Sequence, residues 1–302
     1  MEKNNALAKL LTALGLLTIM CGFAATPALA STPVRFKELR NLIVTSVLVN
    51  GAGPFDFIFD TGATATVIDR DLARQLSLSL VDSSLMRTVT GLTTLPRYRL
   101  DSLTLGSRSA RNLIVPCAEL REIHALNSKI RGLLGQDFLS GFNYILDYRA
   151  QRIDFEEDDE FANALQGTRL PVERDRGRVL IITQPSSPQK QASKLVMDSG
   201  ASTIVVFKPS ARSADLEIEL DFDREFKAST VNGTERISTG RLRKLQIGTE
   251  KFSWLPVMVV DNHAAVEGRR ENGLLPTSLF RSIYFNNTQN FVILNPRGSE
   301  HR

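Results

Sequence analysis

Two cysteines and three histidines are all that 302 residues contain. Two thiols exclude a disulfide framework and a four-thiolate zinc site. The histidines, His124, His263 and His301, stand apart from one another and leave little material for a metal site. Basic residues exceed acidic ones only 37 to 33, a net charge of +4, so no nucleic-acid surface is indicated. Nineteen glycines and 12 prolines are too few for a low-complexity or collagen-like chain. There is no G-x-S-x-G, no H-E-x-x-H and no glycine-rich phosphate loop, so the chemistry those motifs carry is missing. What is present is an ordinary globular composition, 42% hydrophobic and 23% charged. The length suits about two domains.

Only one hydrophobic run is long, and it lies at the start. Lys3 and Lys9 precede an apolar stretch from Leu10 to Ala25, which is followed by Ala28-Leu29-Ala30. A basic start, a short apolar core and an A-x-A site describe a secretory signal peptide over residues 1–30. The expected location is the periplasm or the outside of the cell, with no stable membrane span after cleavage. An uncleaved segment would act as an anchor, although it is short against the roughly 20 residues a span needs. Cleavage removes Cys21 and leaves Cys117, which follows an apolar run and reads as a buried small hydrophobe.

The remaining chain reads as all-β and duplicated. Leu42–Val49 and Phe55–Phe59 are strand-like segments around the turn Asn50-Gly51-Ala52-Gly53-Pro54. Helical signals are few: 69–76, with Asp69 as its cap, and 119–128. Trp254, within the apolar stretch Phe252–Val260, reads as a core residue. Three pairs of segments match between the halves: FIFDTGAT at 57–64 with LVMDSGAS at 195–202, LTLG at 103–106 with LQIG at 245–248, and GLLG at 132–135 with GLLP at 273–276. Their offsets of 138, 142 and 141 residues are nearly constant, which marks an internal repeat. The expected organisation is a first lobe over 31–155, an acidic connection over 156–168 and a second lobe over 169–302.

The repeat carries Asp60-Thr61-Gly62-Ala63 and Asp198-Ser199-Gly200-Ala201. A single D-[ST]-G triplet arises by chance about 0.1 times in a chain of this length. Two of them, each ending an apolar strand at equivalent points of a repeat, are a strong signal. With the two-apolar-then-Gly segment Leu133-Leu134-Gly135, they resemble aspartic proteases of the retropepsin-like and pepsin-like group. The resemblance covers nearly all the chain after residue 30. It implies two β-barrel-like lobes facing a cleft, Asp60 and Asp198 as catalytic residues, and an extended peptide or unfolded protein as substrate. It implies aspartic endopeptidase activity in a monomer, without metal or organic cofactor. The closing hairpins of such lobes match 142–155 and 283–294.

The chemistry has a physical basis. Two carboxylates about 3 Å apart cannot both ionise, so one activates water while the other, protonated, polarises the scissile carbonyl. Gly62 and Gly200 let the loops approach each other. The family resemblance implies that Thr61 and Ser199 brace the pair across the lobe interface, and it places Thr64 and Ser202 near the substrate backbone. Ala63 and Ala201 lack the hydroxyl that pepsin-like members place beside the carboxylate, which predicts a mildly acid optimum. Hairpin tips at Thr90-Gly91 and Asn232-Gly233 are candidate flaps over the substrate. Asn232-Gly233-Thr234 and Asn286-Asn287-Thr288 match the glycosylation sequon and are read as chance matches. Pro276 stands where the first half has Gly135, so packing beside the Asp198 loop is expected to differ. The alternative function is a non-catalytic peptide-binding or structural relative that keeps the cleft.

Overall fold

The computed structural model describes residues 32–88, 91–156, 162–163, 165–185, 191–207, 216–230, 233–260 and 267–297. The expected targeting segment, the tip residues Thr90 and Asn232 and the middle of the acidic connection lie outside them. Among the described residues, no helix is long and apolar enough to cross a membrane.

The first lobe contains β1 (Val34–Arg35), β2 (Lys37–Leu39), β3 (Leu42–Val49), β4 (Ala52–Phe59), β5 (Val67–Asp69), β6 (Leu80–Arg87), β7 (Leu92–Leu105), β8 (Arg108–Ala118), β9 (Ile130–Leu134), β10 (Asn143–Asp147) and β11 (Arg152–Glu156). The second contains β12 (Gln166–Pro171), β13 (Glu173–Asp175), β14 (Arg178–Ile182), β15 (Lys194–Asp198), β16 (Ile204–Phe207), β17 (Ile218–Thr230), β18 (Gly233–Ile247), β19 (Glu250–Val260), β20 (Gly273–Pro276), β21 (Ser282–Asn286) and β22 (Phe291–Arg297). The helices are short: α1 (Arg70–Gln75), α2 (Arg121–Leu126) and α3 (Gln136–Leu139).

The repeat read from the sequence is also a repeat of topology. Lobe one forms a sheet in the order β2-β3-β4-β9-β5-β8-β7-β6, and lobe two forms one in the order β13-β14-β15-β20-β16-β19-β18-β17. Position for position these are the same fold. In each, the strand that ends in Asp runs parallel to the strand of the two-apolar motif: β4 with β9, and β15 with β20. An added β3–β7 pairing curls the first sheet on itself. Local sequence chemistry sets the first hairpin. Asn50 and Gly51 occupy its two-residue turn at φ 51° and 76°, a conformation that Asn and Gly tolerate best.

A third sheet, β1-β11-β10-β21-β22-β12, joins the lobes. At its centre β10 pairs antiparallel with β21, opposing Tyr144 to Phe285. Tyr144 stacks on Phe285 at 4.9 Å between ring centres and meets Phe59 edge-on at 5.5 Å. All three rings are fully buried, which is worth roughly 2–3 kcal/mol each. Phe59 is the residue before Asp60, so this shared core fixes the end of β4. Strand β12 begins at Gln166, inside the stretch expected as a connection, because the sheet recruits those residues to cover β22.

One reading needs correction and another needs completing. Trp254 is not a core residue: it is 52% exposed, with the Arg243 guanidinium 5.8 Å from its ring. Its φ of 55° interrupts the alternation of β19, and the equivalent Asn112 of β8 does the same at 55°. Asp69 occupies the N-cap position of α1 without a side-chain cap hydrogen bond. Its buried carboxylate faces Arg131 Nε at 3.2 Å instead. A buried charge gains more from a cation than from a helix end. Cys117 is buried as expected, and burial pushes its thiol pKa up. Asn286, the acceptor of the second sequon, is fully buried and hydrogen-bonded to Tyr284 Oη at 3.2 Å.

Candidate active site

Strands β4 and β15 deliver the two D-[ST]-G loops to one point between the lobes. Thr61 and Ser199 lock them together with four hydrogen bonds. The Thr61 N–H donates to Ser199 Oγ (3.0 Å) and the Ser199 N–H donates to Thr61 Oγ1 (2.9 Å). The Thr61 hydroxyl donates to the Met197 carbonyl (2.8 Å) and the Ser199 hydroxyl to the Phe59 carbonyl (2.6 Å). Thr61 is 0% and Ser199 1% exposed, so water cannot substitute for these partners.

The two carboxyls meet above this lock and are hydrogen-bonded to each other. Each packs on the glycine of the opposite loop. A Cβ on Gly62 would stand 2.3 Å from Asp198 Cγ, and one on Gly200 would stand 2.6 Å from Asp60 Cγ. Only glycine permits this approach. Asp198 is 6% exposed, whereas Asp60 is partly open to the cleft.

The pair is not symmetric. Asp60 Oδ1 accepts two backbone N–H bonds, from Gly62 (2.9 Å) and Ala63 (3.0 Å). Asp198 Oδ1 accepts one, from Gly200 (2.7 Å). Ala63 therefore supplies through its backbone some of the support its side chain lacks. Burial raises the pKa of both carboxyls above the usual 3.8. Asp198 is raised well above, by burial and then by the charge of Asp60. The unequal backbone support favours negative charge on Asp60 over Asp198.

The sequence reading missed several residues around this pair. Arg178, on β14, faces Asp198 closely enough to oppose the rise in its pKa. Tyr148 Oη bonds Thr277 Oγ1 across the lobes (2.6 Å), and Gln136 Nε2 donates to the Thr61 carbonyl (2.8 Å). Asp137 lies in the first turn of α3. Its Oδ1 accepts both the N–H (2.8 Å) and the hydroxyl (2.7 Å) of Thr66. No short motif could reveal these contacts, because their partners lie 20 to 129 residues apart.

Thr64 lines a cavity of about 260 Å³ beside the Asp60 loop, bounded by residues 85–88 of one lobe and 175–178 and 268–271 of the other. Ser202 lies on the surface, and its carbonyl is 3.4 Å from Asn41 Nδ2. Ala201 sits after Gly200 against the apolar cluster of lobe two. The segments read as candidate flaps belong to two hairpins, β6–β7 and β17–β18. At the first tip the Thr88 N–H donates to the Gly91 carbonyl (2.7 Å), and in the second Gly233 opens β18 opposite Thr230. No cluster of His, Cys, Asp and Glu that could hold a metal ion is found among the described residues.

Comparison with protein families matches both halves. Residues 45–138 match the family described as "Aspartyl protease", and residues 189–275 match that described as "gag-polyprotein putative aspartyl protease". No curated protein matches the chain. Each match contains one of the two D-[ST]-G loops and the strand parallel to it. With its mostly β architecture and shared topology, the chain carries two retropepsin-like aspartyl-protease domains in tandem, one in each lobe.

Proposed function

We propose that the chain is an aspartic endopeptidase whose catalytic pair is Asp60 and Asp198, one from each lobe. The observation that carries this reading is the buried, mutually hydrogen-bonded pair of carboxyls with unequal backbone support. Asp60, ionised, takes a proton from a water held between the carboxyls. The oxygen of that water attacks the scissile carbonyl carbon, while Asp198 gives its proton to the carbonyl oxygen. The neutral gem-diol then collapses. Asp60 passes its proton to the leaving nitrogen and Asp198 recovers one from a diol hydroxyl, which restores the starting state. No covalent intermediate forms.

The substrate in this reading is an extended peptide, hydrogen-bonded by its backbone beneath the hairpins at 88–91 and 230–233. Thr64 borders its path. Export through residues 1–30 places the enzyme in the periplasm or outside the cell. Mass spectrometry of the mature protein then shows an N-terminus at Ser31.

Digestion of a peptide library by wild type, Asp60→Asn and Asp198→Asn, with and without pepstatin, tests the assignment. Wild type cleaves and both variants lose activity. Equal cleavage by all three proteins refutes the pair. Peptide binding without cleavage by wild type replaces the protease with a binding module.

A further inference from the structure

The cavity beside the Asp60 loop has an unbalanced wall: five arginines line it against two carboxylates. Two of the arginines are neutralised internally. Glu271 Oε1 accepts from Arg178 Nη1 (3.0 Å) and Arg269 Nη1 (2.8 Å), and Arg178 also pairs with Asp175. None of these four side chains is more than 17% exposed. Burial alone would raise the Glu271 pKa, but the two guanidiniums outweigh it and hold the group below its usual range. Glu271 and Asp175 are thus fully engaged. Arg269 is held further by the Thr88 carbonyl (2.6 Å) at the base of the first hairpin tip and lies over the Phe207 ring at 4.0 Å.

Arg87, Arg176 and Arg270 remain. All three are exposed, and among the described residues no hydrogen bond or ion pair engages their guanidiniums. They come from three separate segments: the end of β6, the β13–β14 turn and the loop before β20. Two lobes therefore converge three exposed cations on a space whose other wall is Gly62, Ala63, Thr64 and Ala65. Those residues are small and leave room for a side chain. Guanidinium groups pair with carboxylates through parallel N–H bonds, a geometry that neutral side chains cannot match.

We propose that this cavity is a specificity subsite for a carboxylate side chain, so that the substrates are peptides with Asp or Glu close to the scissile bond. The inference rests on the protease reading above. Arg87, Arg176 and Arg270 are its specificity-determining residues, and they act on substrate choice rather than on the dyad.

The test uses the full chain and the best-cleaved peptides of a library, each resynthesised with Glu or Asp replaced by Gln or Asn. The acidic member is expected to show a kcat/KM on the order of tenfold higher, from several exposed ion pairs of modest strength. Raising the ionic strength narrows that ratio. The variant R87Q/R176Q/R270Q brings it close to one, and R87E/R176E/R270E shifts the preference to Lys at the same position. Cleavage of both members at equal rates by wild type overturns the subsite and leaves the protease reading standing. Absence of cleavage across the whole library overturns the protease reading, and the pairs are then made from library peptides that contain Glu or Asp. Fluorescence anisotropy with the same labelled pairs then decides the subsite, because tighter binding of the acidic member upholds it and equal binding overturns it.

Discussion

Replacing Thr61 by Val keeps the shape of the side chain and removes its oxygen. The consequences follow from the four bonds between the loops. The Thr61 N–H keeps its partner, Ser199 Oγ, but the Met197 carbonyl loses a donor and the Ser199 N–H loses an acceptor. Both orphaned groups are buried, where Thr61 is 0% and Ser199 1% exposed. An unsatisfied buried polar group costs about 1–3 kcal/mol, so the variant loses about 2–6 kcal/mol. That is a large part of the about 5–15 kcal/mol that typically holds a protein folded. Thr61→Ser keeps both bonds and loses one methyl, which costs about 1 kcal/mol. Urea unfolding followed by fluorescence, with m-values checked for constancy, measures both. A cycle with Ser199→Ala then isolates a coupling of roughly 0.5–3 kcal/mol. Activity falls alongside stability in Val and not in Ser, because the bonds hold the two Asp residues in register. Val and Ser variants of equal stability, within about 0.5 kcal/mol, would refute the claim that the hydroxyl network joins the lobes.

Three further outcomes follow from the pair itself. The pH–rate profile is bell-shaped, with both apparent pKa values of the pair raised by burial above the usual 3.8 and the alkaline limb displaced furthest; a peak near pH 2 refutes this. Asp198→Asn stabilises the protein at neutral pH. The folded pKa of Asp198 lies above its unfolded value, so wild-type stability falls as pH rises from about 3.8 through the folded pKa, and the Asn side chain escapes that loss. Thermal melts show the gain vanishing in acid, and an offset independent of pH refutes the linkage. Gly200→Ala drives a Cβ to 2.6 Å from Asp60 Cγ, and displacing that carboxyl lowers kcat by on the order of 100-fold. Unchanged kcat in that variant refutes the close packing of loop on carboxyl.

Much of this was legible because it is local. The D-[ST]-G loops, their glycines and the two hairpins are contiguous in the chain, and turn chemistry such as Asn50-Gly51 announces itself. The repeat was legible because the equivalent strands kept their apolar patterns. Trp254 was misread because strand alternation assumes extended backbone, and its positive φ breaks that assumption. Asp69 was legible as the N-cap from its position, but its ion-pair partner was not, because Arg131 reaches it from 62 residues away. The Arg178–Glu271–Arg269 group was invisible for the same reason. Segments 175–178 and 269–271 meet only after the lobe has folded, so nothing in either stretch marks it.

The difference between Gly135 and Pro276 shows how the two halves diverged without losing the fold. In lobe one the Gly135 N–H donates to Thr66 Oγ1 (3.1 Å), whose hydroxyl in turn donates to Asp137. The corresponding positions of lobe two are Pro276, Ile204 and Ser278. Pro276 has no N–H to donate, and buried Ile204 has no oxygen to receive it. Losing donor and acceptor together costs little, while losing either alone leaves an orphan. Pro276→Gly should therefore destabilise the chain by about 1–3 kcal/mol, since it restores a buried N–H without a partner. Adding Ile204→Thr should recover part of that loss, and a double variant no better than the single one refutes the pairing. Such matched changes are open to a tandem chain and closed to a symmetric dimer, in which each substitution appears in both halves. The same freedom lets Asp60 hold two backbone N–H bonds and Asp198 one, an asymmetry that a symmetric dimer cannot build into its sequence.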